Sequence, residues 1–93
     1  MANQTTLFIE PETWTEITDA DVSAITFQNR SKGHILVVGT NGSTPSGYEG
    51  IRYNPGQGER NVFLADLFPG ASATRVWVYA PEAYGAEVFV SHA

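Results

Sequence analysis

The chain contains no cysteine and a single methionine in 93 residues. Disulfide bonds and thiolate metal sites are therefore excluded. A domain of this length hides only about 60 to 65% of its unfolded surface on folding, which leaves oligomerisation as the obvious additional support. Basic residues are scarce, five Lys and Arg against ten Asp and Glu, so a phosphate backbone is repelled and nucleic acid is not an expected partner. There is also no long apolar run. Leu7-Phe8-Ile9 is too short for a signal or membrane segment, and Met1-Ala2-Asn3-Gln4-Thr5-Thr6 carries no basic residue. The expectation is a mature protein that begins here, made in a cytoplasm and without a membrane partner.

Helical periodicity is nearly absent too, and what replaces it is an all-β pattern: runs of β-branched and aromatic residues cut by Gly, Pro, Asn and Asp. Strands are expected near Leu7–Ile9, Trp14–Thr18, Ser23–Asn29, His34–Thr40, Gly50–Tyr53, Arg60–Leu64, Thr74–Ala80 and Ala86–Ser91. About seven or eight short antiparallel strands in one small domain point to a β-sandwich or a jelly-roll-like fold. The expected division is an N-terminal arm over 1–13 and a β-sandwich over 14–93.

Side-chain alternation assigns faces. Ile25 and Phe27 share a core face, with Thr26 and Gln28 on a wet one; Ile35-Leu36-Val37-Val38 is apolar on both faces and belongs at a sheet centre. Arg75 to Ala80 and Ala86 to Ser91, joined through Pro81-Glu82-Ala83-Tyr84-Gly85, read as a terminal β-hairpin. Within it Val76, Val78, Val88 and Val90 point to the protein's own core, while Trp77, Tyr79 and Phe89 form a second apolar face. A domain with one core has no use for such a face, so a partner chain is expected there. Asn54-Pro55-Gly56-Gln57-Gly58 has the Pro and Gly of a tight hairpin reversal. Asn41 to Gly47 is expected to be the most mobile loop, and Leu64, Leu67 and Phe68 a one-turn helical plug over an end of the sandwich.

No constellation carries catalysis. The histidines, His34 and His92, have no nucleophile elbow beside them and read as a strand-end residue and a tail residue. The carboxylate pairs Glu10 with Glu12 and Asp19 with Asp21 lie at turns, and Asp19-Ala20-Asp21 lacks the further oxygen ligands of a calcium loop. The Asn-x-Ser/Thr triplets at Asn3, Asn29 and Asn41 read as chance without a secretory signal. No cofactor or metal is expected. The acids Glu10, Glu12, Glu16, Asp19 and Asp21 all precede the first base, Arg30, so the N-terminal part carries the net charge of −5. That is a solvated acidic face or one that meets a basic docking surface. Trp14, Trp77, Tyr79 and Tyr84 can be core, interface anchors or sugar-stacking platforms, with Trp14 and one of Trp77 or Tyr79 assigned first to the core.

The ordered string Trp14-Thr15-Glu16-Ile17-Thr18-Asp19-Ala20-Asp21, Ala24-Ile25-Thr26-Phe27-Gln28-Asn29, Tyr53-Asn54-Pro55-Gly56-Gln57-Gly58-Glu59-Arg60-Asn61, Leu64-Ala65-Asp66-Leu67-Phe68-Pro69-Gly70, Arg75-Val76-Trp77 and Val90-Ser91-His92-Ala93 resembles small structural proteins of tailed bacteriophages and gene-transfer particles. The resemblance implies a non-enzymatic virion protein, a capsid decoration or cement protein or a head-spike base, bound to the capsid exterior. Its implied partners are the major capsid protein and further copies of itself, as a trimer or dimer. Partner contact is expected at Trp77, Tyr79 and Phe89 and at the arm residues Leu7, Phe8 and Ile9, which can add a strand to an open sheet edge. The alternatives are a carbohydrate-binding module of a receptor-binding apparatus, or a head-tail or tail structural protein.

Overall fold

Extended backbone suits β-branched and aromatic side chains, and the intervening Gly, Pro, Asn and Asp stop each run after a few residues. The computed structural model describes residues 3–92. Among them are the strands β1 (Asn3–Ile9), β2 (Trp14–Glu16), β3 (Ala24–Asn29), β4 (Ile35–Thr40), β5 (Ile51–Tyr53), β6 (Gly58–Phe63), β7 (Arg75–Tyr79) and β8 (Ala86–His92), and one helical turn, α1 (Leu64–Leu67). They form two four-stranded antiparallel sheets, ordered β1-β8-β3-β6 and β2-β7-β4-β5.

This order has a simple origin. β1 pairs with β8, β2 with β7, β3 with β6 and β4 with β5, as in one long hairpin folded at the β4–β5 connection. Rolling that ribbon adds the β3–β8 and β4–β7 ladders and closes it into two facing sheets. The result is the eight-stranded jelly roll.

Both expected hairpins need correction. β7 lies between β2 and β4 in one sheet, and β8 lies between β1 and β3 in the other. Each strand has both of its hydrogen-bonding edges occupied, so the pair cannot bond to each other and Pro81–Gly85 is an arch between the sheets. The Asn54–Gln57 reversal also joins opposite sheets, from β5 to β6. Its local geometry follows the sequence: Gln57 N–H donates to the Asn54 carbonyl (3.0 Å), and Gly56 takes φ +83°, as a type II turn with Pro55 at its second position requires.

The core lies between the sheets. Ile9, Ile25, Phe27, Ile35, Val37, Val76, Val78, Val88 and Val90 are each at most 1% exposed, as period-2 alternation demands of inward positions. Phe27 meets Tyr53 edge to face at 5.0 Å. Leu64 is buried, and Leu67 and Phe68 pack against the core, so α1 plugs one end of the sandwich. β4 is an interior strand, flanked by β7 and β5.

The separate arm is a second correction. Asn3–Ile9 runs along β8 in register from Asn3 opposite His92 to Ile9 opposite Ala86, with Ile9 wholly buried. The apolar alternation of Leu7 and Ile9 fills the core of this chain. The expected arm residues Met1 and Ala2, and the closing Ala93, lie outside the described residues.

Among the described residues no buried side-chain polar atom lacks a partner. Asn29 is the clearest case, fully buried at the end of β3. Its Nδ2 donates to the carbonyls of Gly33 (2.8 Å) and Tyr53 (3.1 Å), and its Oδ1 accepts from the Ser31 N–H (3.0 Å) and hydroxyl (2.5 Å). Its backbone N–H donates to the Gln57 carbonyl, and its carbonyl accepts from the Gly56 N–H. One side chain thus ties the turn after β3 to the turn after β5. The Asn29-Arg30-Ser31 triplet is a folding device whose amide has no room for a glycan.

Candidate functional site

Outward positions of the β2-β7-β4-β5 sheet follow from the register. Trp14 and Leu36 flank Tyr79, Glu16 and Val38 flank Trp77, and Thr40 is opposite Arg75. The Trp14 and Tyr79 rings meet at 5.3 Å, and Tyr48 from the β4–β5 loop meets Tyr79 edge to face at 5.4 Å. The Trp14 Nε1–H donates to the Gly47 carbonyl (3.0 Å), so the loop expected to be the most mobile is folded across this face. Tyr79 is left 8% exposed. Burial first, then the nearby Tyr48 and Glu12, pushes its phenol above the usual value. Trp77 is half-buried, and its Nε1–H donates to the Thr40 hydroxyl (3.0 Å).

Trp14 is thus on the outer face, contrary to its expected place in the core. Trp14 and Tyr79 lean on each other because an aromatic pair gains from contact beyond its area burial. Leu36, Val38 and Trp77 remain partly exposed beside them.

Phe89 lies elsewhere. It faces outward from the other sheet, opposite Thr6 and Gln28, and is half-buried. Because β7 and β8 lie in different sheets and form no hairpin, Trp77 and Tyr79 face out from one sheet and Phe89 from the other. Of the N-terminal residues, Ile9 is core, Leu7 is partly buried against the core, and Phe8 is 56% exposed on the outer face of β1.

The acidic N-terminal part is partly neutralised by its own chain. Arg75 donates from Nη1 to Glu16 (2.7 Å) and from Nε to Asp21 (2.8 Å), and the Thr18 hydroxyl donates to the same Glu16 oxygen. These bonds hold the Asp21 carboxyl below its ordinary value, chiefly through the Arg75 hydrogen bond, and raise Arg75. His92 is not a loose tail residue. Its side chain is 2% exposed, with Nε2 at 3.3 Å from Asp19 Oδ1. Glu10 and Glu12 are exposed, on the link between the sheets. His34 is half-buried one residue before β4.

The Tyr53 hydroxyl donates to Glu59 (3.0 Å), and burial together with that carboxylate pushes its phenol far above the usual range. The bond braces two facing strands and leaves the phenol protonated. Among the described residues no group of three His, Cys, Asp or Glu is placed to hold a metal ion, and no helix is long and apolar enough to cross a membrane.

What sequence reasoning missed here is the cover supplied by Tyr48 and Gly47. The Tyr48-Glu49-Gly50 segment precedes a strand whose partner was unknown, and nothing local marks Tyr48 as a lid. In comparisons with known proteins, no family, no curated protein and no solved structure matches the chain.

Proposed function

We propose that this protein is a non-enzymatic virion component, a capsid decoration or cement protein or the base of a head spike, acting by protein–protein contact. Its partners are the major capsid protein and further copies of itself, on the capsid exterior, after synthesis in a bacterial cytoplasm. One observation carries the contact role: the outer face of β2-β7-β4-β5 leaves Trp14, Leu36, Val38 and Trp77 partly exposed on a domain that already encloses a full core between its sheets. The solvated face of an antiparallel sheet is ordinarily polar, and contiguous apolar surface marks contact sites. Two further points support the reading. The sequence resembles small phage head proteins, and the jelly roll is a fold used by viral capsid domains, although fold alone does not carry function.

The test is the composition of purified particles together with sedimentation of the isolated protein. The expected outcome is co-sedimentation with virions, binding to capsids that lack it, and a mass above the monomer at micromolar concentration. Val38→Glu, which places a charge on the outer face, is expected to abolish these contacts while leaving a folded monomer. A wild-type protein that is absent from particles, or one that remains a monomer and binds capsids equally well as Val38→Glu, would overturn the proposal.

A further inference from the structure

At the end of the sandwich away from Arg75 and His92, the turn after β3 and the arch between β7 and β8 face each other across the end of β1. The open cleft between them has a volume of about 660 Å³, within the ~300–1,000 Å³ usual for small-molecule sites. Phe8, Tyr84, Arg30, Lys32 and Glu87 are among the residues that line it. We infer that this cleft is a binding site for a carboxylate-bearing saccharide.

Both rings are exposed, and each side chain approaches a glycine. Phe8 is 56% and Tyr84 55% exposed. A Cβ on Gly85 would lie 2.8 Å from Phe8 Cζ, and one on Gly33 would lie 2.7 Å from the Tyr84 hydroxyl. Gly85 also has φ +75° and closes the arch by donating its N–H to the Glu82 carbonyl (3.0 Å). Phe8 thus meets the arch through its ring edge and Tyr84 meets the turn after β3 through its hydroxyl, and both rings keep more than half of their surface in solvent, where an aromatic ring can stack on the C–H face of a sugar.

The charge is the second observation. Among the described residues the ion pairs are those of Arg75 with Glu16 and Asp21 and of His92 with Asp19, so neither Arg30 nor Lys32 is in one. In a chain with twice as many acids as bases, two of the five bases line one cleft and neither is in an ion pair. Arg and Lys ends are the groups that recognise carboxylates, Arg in bidentate fashion. Glu87 lines the same cleft, and the Glu82 carboxyl end lies against Gly33 beside it. With carboxylates this near, the cleft can bind one anionic group through Arg30 or Lys32 and disfavours a polyanion, which the net charge of the chain also repels.

A peptide strand fits less well. The lining residues Ala86 and Glu87 belong to β8, which is already paired with β1 and β3, and the Glu87 carbonyl accepts from the Arg30 N–H (2.8 Å). No ladder groups are left there to receive a strand. Recognition then rests on ring faces and cationic ends, which is what an acidic sugar uses.

The inference does not depend on the virion role. Its test is an NMR and calorimetric titration of the full chain with a glucuronate-containing oligosaccharide, its carboxyl-reduced neutral analogue, and a short Glu-rich peptide. The expected result is saturable binding of the acidic sugar, with amide shifts confined to Arg30–Gly33 and Tyr84–Glu87. The neutral analogue, and the Arg30→Gln, Lys32→Gln and Tyr84→Ser variants, should each bind about tenfold more weakly, the size of one lost charge-assisted bond or stacking contact. The variants change exposed side chains, and unchanged amide spectra elsewhere would show that they fold. No binding of the acidic sugar, equal binding of the neutral analogue, or preferential binding of the peptide would overturn the assignment.

Discussion

Replacing Asn29 with Ala tests the polar clamp on which two turns depend. The substitution removes four side-chain hydrogen bonds at a site with no exposed surface. At about 1 kcal/mol net for each bond, the upper figure is about 4 kcal/mol. The Gly33 carbonyl keeps its second donor, the Ser31 hydroxyl at 3.1 Å, whereas the Tyr53 carbonyl loses the Asn29 amide. A cost of about 3 kcal/mol follows, and at roughly 4 to 8 °C per kcal/mol for a domain of this size Tm should fall by about 12 to 24 °C. Thermal unfolding followed by circular dichroism, with urea midpoints at constant slope as a check, measures it.

Asn29→Asp sharpens the test, because it keeps the shape and the acceptor but at neutral pH cannot donate to either carbonyl. Burial and two facing carbonyls raise the folded pKa of such an Asp above its unfolded value of about 3.9. Its ionisation is then disfavoured in the folded state, so its penalty relative to the wild type should grow as pH rises above about 4 and shrink on acidification. A loss under about 4 °C for Asn29→Ala, or a pH-independent Asn29→Asp difference, would refute the clamp. The first result would mean that the turns hold themselves.

Two further outcomes follow from the same geometry. Ile9→Ala should cost about 2 to 5 kcal/mol, as for other fully buried aliphatic truncations, whereas Phe8→Ala one residue earlier should cost about 1 kcal/mol or less; equal small effects in denaturant titrations would return β1 to the status of a loose arm. Asp21, held below its ordinary pKa of 3.8 by Arg75, contributes stability that is present above that pH and lost as pH falls through the folded value. Asp21→Asn should therefore lower the neutral plateau of a stability–pH curve slightly and flatten its acid limb below about pH 4, and an unchanged plateau and acid limb would show the ion pair to be inert.

The strand positions and the inward residues of β3, β4, β7 and β8 were legible in the chain, because alternation is a local property and a buried face must be apolar. Ile25 with Phe27, Val76 with Val78 and Val88 with Val90 were all readable this way, and each is buried. The pairing was not. Alternation states which face a residue takes and says nothing of its neighbour across the ladder, so Pro81–Gly85 looked like a hairpin turn when it is an arch. His92 carried no local mark of burial either. It is buried because β8 runs between β1 and β3, a consequence of contacts spanning nearly the whole chain.

By itself the sequence determined an all-β domain without disulfides or thiolate metal sites, the reversal at Pro55-Gly56, and a strand, β7, with apolar residues on both faces. These follow from backbone preference and side-chain period, which act over a few residues. Only the tertiary structure decided that β7 and β8 belong to different sheets, that Trp77 and Phe89 face opposite ways, that Tyr48 covers Tyr79, and that Phe8, Tyr84, Arg30 and Lys32 share a cleft. The physical reason is the same in each case. Rolling the ribbon sets distant segments side by side, and the core burial that drives the rolling is a property of the whole chain.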